Sequence, residues 1–236
     1  MELTGTGSYK QYVVSPERYT SLIPDGVSDY IAGPIMCSAS TAYSSIKESG
    51  LRPGQWAVFP GGGGGVGIQG VQLAVAMGLR VLIVDTGAER QALGKKYGAE
   101  HFVDFKEVEN TAEEVVKLTN GGAHAVFVTG GFLCLIEDIE LTICSRTVIS
   151  NGSGVSWWSH WRSSHVVSIR KMSLMALLTL HSIGLPPTGQ FNIDLNPSQL
   201  VFKNQSVKGT LVAGLGDIDE TLDFARRGNV FNYGSS

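Results

Sequence analysis

The chain has 236 residues, 43% hydrophobic and 17% charged, which gives length for a packed core and excludes a disordered composition. Its 18 basic and 21 acidic residues leave a net charge of −3, so no global basic footprint points to nucleic acid or an anionic membrane. Three widely spaced cysteines make no disulfide framework, Met1-Glu2-Leu3-Thr4 is no secretory signal, and no apolar run reaches spanning length; a reducing, cytoplasmic setting is expected.

Tyr12-Val13-Val14 reads as a short strand, followed by a Pro/Asp/Gly turn region and a small-residue helix over Ser40–Lys47. Trp56-Ala57-Val58-Phe59 is a buried-strand run ended by Pro60 and a glycine run. Apolar residues at 68, 71, 74, 75 and 77 then make a helical stripe closed by Gly78. Val81–Val84 is a second strand, Glu89–Tyr97 a polar helix, His101–Asp104 a third strand, Ala112–Leu118 a helix and Ala125–Val128 a fourth strand. Continuous apolar strands, each followed by a helix, predict a parallel sheet covered on both faces, a doubly wound α/β domain. The pattern breaks over about Leu133 to Ile183. No Asp or Glu occurs between Leu141 and Ile193, and Trp157, Trp158 and Trp161 cluster there. Met172–Ile183 is an apolar stretch without a cap or a clear stripe. Regular texture returns at Leu185; Val207–Ala213 reads as a strand, and Asp217 with Glu220 opens a helix in capping-box spacing that closes at Arg226-Arg227-Gly228.

Glycine is the composition's main departure, with 30 residues against a usual share of about 7%. In Gly61–Gly67, Gly62, Gly64 and Gly67 satisfy G-x-G-x-x-G: the first allows a tight turn, the second close approach of a pyrophosphate, the third close helix–strand packing. The run follows a strand and opens a striped helix whose N-terminus offers free N–H groups to phosphates. Asp85 ends the next strand, where a carboxylate accepts hydrogen bonds from the adenosine ribose and disfavours a 2′-phosphate. Its plainer reading is a helix cap. No Lys-[Ser/Thr] follows the glycines, which argues against an NTPase.

These motifs, with Pro34–Tyr43, Ala76–Val81, Asp85-Thr86-Gly87, Lys96–Glu100, Phe102–Phe105, Gly121–His124, Ser206–Gly209 and Glu220–Phe224, closely resemble the zinc-dependent medium-chain alcohol dehydrogenases, the fungal branch especially, over about 9–130 and 184–230. The resemblance implies a Rossmann fold with a remnant of the N-terminal catalytic domain. It implies 1–46 as that GroES-like remnant and connecting helix, 47–214 as the NAD-binding domain, and 215–236 as a C-terminal helix with a shortened tail. By the same resemblance Cys37 takes the third catalytic zinc-ligand position, and Thr41 lies beside the nicotinamide. Gly64, Gly65 and Val66 line the pyrophosphate and nicotinamide, Asp85 and Arg90 hold the ribose, Phe105 lies near the adenine, and Val128 ends a strand beside the cofactor. The implied chemistry is hydride exchange between NAD and an alcohol or aldehyde, with zinc as the Lewis acid. A sheet edge flanked by Lys203 and Lys208 implies subunit pairing.

The departures from the family bear on metal. A catalytic zinc needs three protein ligands, yet no Cys-His-Thr or Gly-His-Glu pattern precedes Cys37, and the four-cysteine structural loop is missing. Cys134 and Cys144 match no ligand spacing, so zinc is a family cofactor whose retention is not expected here. On spacing alone Cys37 reads as a buried small apolar residue. His124 reads as structural and without a partner in view; His160, His165 and His181 show no metal spacing.

The segment 146–183 stands where the family has a helix and its fifth strand. The expectation is translated non-coding sequence or a splice variant in a chain shortened at both ends. A lipid- or partner-binding insertion is the alternative, from the tryptophans with Arg162, Arg170 and Lys171. A sheet without its fifth strand would expose an edge and apolar surface. Function therefore reads as an NAD-dependent alcohol dehydrogenase; the alternatives are a non-catalytic NAD-binding fragment and a zinc-free reductase of the same superfamily.

Overall fold

In a computed structural model, the structure describes residues 11–129, 178–183, 197, 201 and 204–230. Helix α1 (Asp29–Pro34), a π-helical turn (Ile35–Ala39) and α2 (Ser40–Ser49) follow one another directly, and Gly50 closes them at φ 69°. Strands β1 (Trp56–Pro60), β2 (Arg80–Asp85), β3 (His101–Asp104) and β4 (Ala125–Val128) alternate with α3 (Gly65–Ala76), α4 (Ala88–Lys96) and α5 (Thr111–Thr119). Strands β5 (Leu178–Ser182) and β6 (Gln205–Gly209) and helix α6 (Leu215–Arg226) complete the described elements. The strands form one six-stranded sheet in the order β3-β2-β1-β4-β5-β6, every pair parallel.

Each central strand is apolar throughout because its two sides meet different cores. Ala57 and Phe59 of β1, Val81 and Ile83 of β2, and Ala125 and Phe127 of β4 enter one core with α2, α3 and α6. Trp56 and Val58, Leu82 and Val84, and Val126 and Val128 enter the other with Ala112 and Val115 of α5. A side-chain period of two over a sheet covered on both faces leaves no polar position. Phe59 and Phe127 stack across the β1–β4 pair at 5.1 Å between centroids, both fully buried.

Four expectations change. Tyr12–Val14 forms no strand; these residues are exposed, and no strand of the sheet offers its backbone a ladder partner. The fifth strand is present after all. It comes from the far end of the anomalous segment, where Leu178-Thr179-Leu180 supplies a short apolar and β-branched run, in register Ala125↔Thr179 through Val128↔Ser182. Helix α6 has no capping box: Gly214 stands at its N-cap without a side-chain bond, and Asp217 and Glu220 both accept from Lys47 Nζ of α2, at 3.0 and 2.7 Å. His124 has a partner, since its Nδ1 accepts from Trp56 N–H at 3.1 Å. The end of α6 is as expected, with Gly228 at φ 76° beyond Arg226 and Arg227. Cys134, Cys144, Arg162, Arg170, Lys171, Lys203 and the cluster of three tryptophans lie outside the described residues.

Candidate functional site

The strand order reverses between β1 and β4, and the glycine loop leaves β1 at that switch point. Gly61 turns at φ 79° and donates its N–H to Val84 O at 2.9 Å; Gly64 N–H donates to Gly61 O at 3.0 Å. These bonds fold the loop back over the ends of β1 and β2. A Cβ at Gly62 would stand 2.9 Å from Phe59 Cβ and Phe59 O, and one at Gly67 2.5 Å from Gly61 O and 2.6 Å from Gly62 Cα. Both positions require glycine because backbone cannot move aside as a flexible side chain can.

Gly65 is different. It is exposed, and a Cβ there would meet nothing within 4 Å, so the mouth of the loop is open where α3 begins. The first bond of α3 runs from Ile68 N–H to Gly64 O at 2.9 Å, so the N–H groups of Gly65, Val66 and Gly67 precede the helical ladder at its positive dipole end. This cradle fits a pyrophosphate: open backbone donors over a loop too tight for side chains.

Asp85 ends β2 with 2% exposure. Its Oδ2 accepts from Gly63 N–H at 2.9 Å, and its Oδ1 accepts from Thr86 N–H at 2.9 Å and from Arg90 Nη1 at 2.5 Å. The helix-cap reading does not hold, because the N-cap of α4 is Gly87 and no side chain caps it. Asp85 instead joins the glycine loop to α4. Gly63 is a position the fingerprint leaves free, yet a Cβ there would stand 2.6 Å from Arg90 Cβ and 2.9 Å from Asp85 Oδ2. Five consecutive glycines, where the motif demands fewer, were the signal for it.

Asp104 sits opposite Asp85 in the β2–β3 register. It accepts from Gly87 N–H at 2.9 Å and Thr86 Oγ1 at 3.2 Å, and its other oxygen from Lys106 N–H at 2.9 Å. The Gly87 amide, then the Lys106 amide, hold its carboxyl below the usual range. Phe105 follows, half-buried on the α5-side core, its N–H 3.3 Å from Asp85 O. At the switch point Val128 is buried at the end of β4, and both N–H and Oγ1 of Thr129 donate to Pro60 O at 3.0 Å. Asp104 and Thr129 were not singled out from sequence; their short polar side chains become informative only once the strand ends are aligned.

Thr41 is buried and donates its hydroxyl to Cys37 O, one turn back in the same helix. Cys37 is exposed rather than buried. Ile35 and Ala39 take the inward positions of the π-helical turn, and Cys37, two residues from each, faces outward. Ser38 Oγ donates to the buried Gln69 Oε1 at 2.6 Å and fixes this turn on α3. Among the described residues no three His, Cys, Asp or Glu side chains gather to hold a metal. With one thiol and no second donor beside it, the described residues do not fit a catalytic zinc.

The parallel sheet with helices on both faces and a glycine loop at its switch point defines the class, a Rossmann-type α/β domain. The known structures share it: benzyl alcohol dehydrogenase from Acinetobacter calcoaceticus matches with a TM-score of 0.68 at 18% identity, covering 92% of this chain and 52% of that one. The alcohol dehydrogenase of Aeropyrum pernix matches with 0.65 at 21% identity, covering 88% and 51%. A family model for zinc-binding dehydrogenases matches residues 65–152. Alcohol dehydrogenase 2 of Emericella nidulans is 33% identical over 232 residues, 94% of this chain and 54% of that protein. The alcohol dehydrogenase of Schizosaccharomyces pombe is 42% identical over 125 residues, 53% of this chain and 36% of that protein. Over most of its length the chain is thus similar to alcohol dehydrogenases, and its residues 65–152 match the zinc-binding dehydrogenase family. It spans about half the length of Alcohol dehydrogenases 1 and 2 of Emericella nidulans, 55% and 54%.

Proposed function

We propose that this chain forms the NAD-holding part of an alcohol dehydrogenase, in which hydride passes between NAD and an alcohol or aldehyde. The observation that carries this reading is the buried Asp85 carboxylate, tied to Gly63 N–H of the loop and to Arg90 of α4. A carboxylate held at the end of β2, beside the open mouth at Gly65, is what a ribose next to a pyrophosphate requires. Gly64, Gly65 and Val66 receive the pyrophosphate, Asp85 and Arg90 the ribose, and Phe105 flanks the adenine. Val128 and Thr41 stand on the nicotinamide side, and Gly62 and Gly67 keep the loop narrow. Bound NAD supplies the hydride acceptor. Cys37 has no companion ligand among the described residues, so no step through zinc is assigned to them. Residues 1–46 and 215–236 flank the NAD-binding unit, and two subunits pair along the β6 edge.

Titration of the purified chain with NADH, followed by cofactor fluorescence with NADPH as control, tests the reading. Saturable binding that favours NADH and is lost in Asp85→Ala supports it. Folded protein that binds neither overturns it. A second reading, a non-catalytic NAD-binding fragment, rests on the solitary Cys37. Binding of NADH without alcohol-dependent reduction of NAD in zinc-containing buffer favours that reading over the first.

A further inference from the structure

We infer that Asp104 is a positioning residue for the ribose contact: its carboxylate sets the turn that aims Asp85 and Arg90 at the adenosine ribose. This deepens the proposed NAD site and rests on it. The Asp85 carboxylate is fixed by three donors. Gly63 N–H of the glycine loop donates to its Oδ2, while Thr86 N–H and Arg90 Nη1 donate to its Oδ1. Two of the three belong to the turn after β2 or to α4, so where these stand decides where the carboxylate points.

That turn is short and has no anchor of its own. Two residues, Thr86 and Gly87, join β2 to α4, and Gly87 bends at φ 98°. Gly87 is also the N-cap of α4, where a glycine has no side chain to accept from the first helical N–H groups. The anchor comes from the neighbouring strand. Asp104 stands opposite Asp85 in the β2–β3 register, and its Oδ2 accepts from Gly87 N–H at 2.9 Å and from Thr86 Oγ1 at 3.2 Å. Its Oδ1 accepts from Lys106 N–H at 2.9 Å, an Asx-type turn around Phe105 that fixes the carboxylate itself. Charge-assisted bonds to two amides make a firmer tether than a neutral side chain would give. Two routes then lead from Asp104 to Asp85. Asp104 holds the Thr86 hydroxyl, and Thr86 N–H holds Asp85 Oδ1. Asp104 also holds Gly87, whose carbonyl accepts from Gln91 N–H at 3.1 Å as α4 begins, and Arg90 returns from that first turn to Asp85.

The experiment measures binding of NADH and of its analogue lacking the adenosine ribose 2′-hydroxyl, by fluorescence titration of the full chain, Asp104→Ala, Asp104→Asn and Thr86→Val. The unmodified chain should favour NADH about tenfold, the worth of one charge-assisted hydrogen bond to the hydroxyl. In Asp104→Ala the preference should fall to about twofold, because a carboxylate no longer aimed at the hydroxyl barely distinguishes the two ligands. Asp104→Asn keeps one acceptor oxygen and should fall between them. A merely structural role weakens both ligands together and leaves their ratio unmoved, and that result overturns the inference. If Asp104→Ala does not fold, Thr86→Val decides: it removes one donor and leaves the carboxylate in place, so a lowered ratio supports the inference and an unmoved one overturns it. Failure of the unmodified folded chain to bind NADH is the separate result that overturns the NAD site itself.

Discussion

Trp56 and His124 hold each other twice: Trp56 N–H donates to His124 Nδ1 at 3.1 Å, and His124 N–H donates to Trp56 O at 3.0 Å. The imidazole thus extends the β1–β4 ladder by one bond at the end of the strands remote from the glycine loop. The bond needs an unprotonated Nδ1. Burial holds the His124 pKa below 6.5, so the fold favours the neutral ring. The contribution is complete above the unfolded value and is lost as pH falls through the lower folded value. Thermal unfolding between pH 7.5 and about pH 5 should show a falling midpoint, with a flatter slope in His124→Ala. The substitution itself should cost about 1 kcal/mol at neutral pH.

Tyr43 donates its phenol to Glu220 and packs against the tilted Phe224 ring at 5.7 Å between centroids, while Lys47 bridges Glu220 and Asp217. Burial first, then the bond to Glu220, pushes the phenol up to about 12. A raised value means stability present below the ordinary 10.0 and lost as pH rises through about 12. Phenolate absorbance should show one tyrosine titrating late. Tyr43→Phe should abolish that late phase and cost about 1 kcal/mol, since the ring stays and only the hydrogen bond goes.

The glycine loop separates stability from binding. Gly67→Ala forces a Cβ against the Gly61 carbonyl and should lower stability by about 2 kcal/mol or more in denaturant unfolding. Gly65→Ala puts its methyl in open space, so stability should be unchanged or slightly higher. On the proposed NAD site the same methyl enters the pyrophosphate cradle, so NADH affinity should fall in Gly65→Ala without a loss of stability.

Between β6 and α6 the chain is under local strain. Val212, β-branched, adopts φ 58°, and the buried Thr210 Oγ1 has no hydrogen-bond partner among the described residues. A left-handed L-residue costs roughly 1–2 kcal/mol, so Val212→Gly should raise the unfolding midpoint despite glycine's entropy. Thr210→Val should be neutral or stabilising, because no bond is lost and an unsatisfied hydroxyl disappears. A midpoint that falls in Val212→Gly would mean the valine side chain, not the backbone, governs this turn.

Most of the sheet was legible because both its faces are buried. Val81–Val84 and Ala125–Val128 read as strands without alternation, and the alternation reappears in space as the division between two cores. The glycines were legible for a related reason, since backbone contact leaves no room for a substitute. What could not be read depends on neighbours distant in sequence. Tyr12–Val14 has strand-forming residues but no partner. Leu178–Ser182 has an undistinguished run but finds β4 and β6. Asp217 and Glu220 have the spacing of a cap and are claimed by Lys47, far away along the chain. Cys37 was misjudged because a π-helical turn changes which residue faces inward.

The pairing of Val128 with Ser182 has a kinetic side. Strands β1 to β3 and their helices are joined by short connections and pair between residues close in sequence, Ala57 with Val81 and Leu82 with His101. Strand β4 must reach β1 across the 68 residues from Ala57 to Ala125, and β5 must reach β4 across the 54 from Ala125 to Thr179. Non-local parallel pairing of this kind is slow. The β1–β3 half of the sheet should therefore acquire protected amides first, with β4, β5 and β6 arriving in a later phase of refolding.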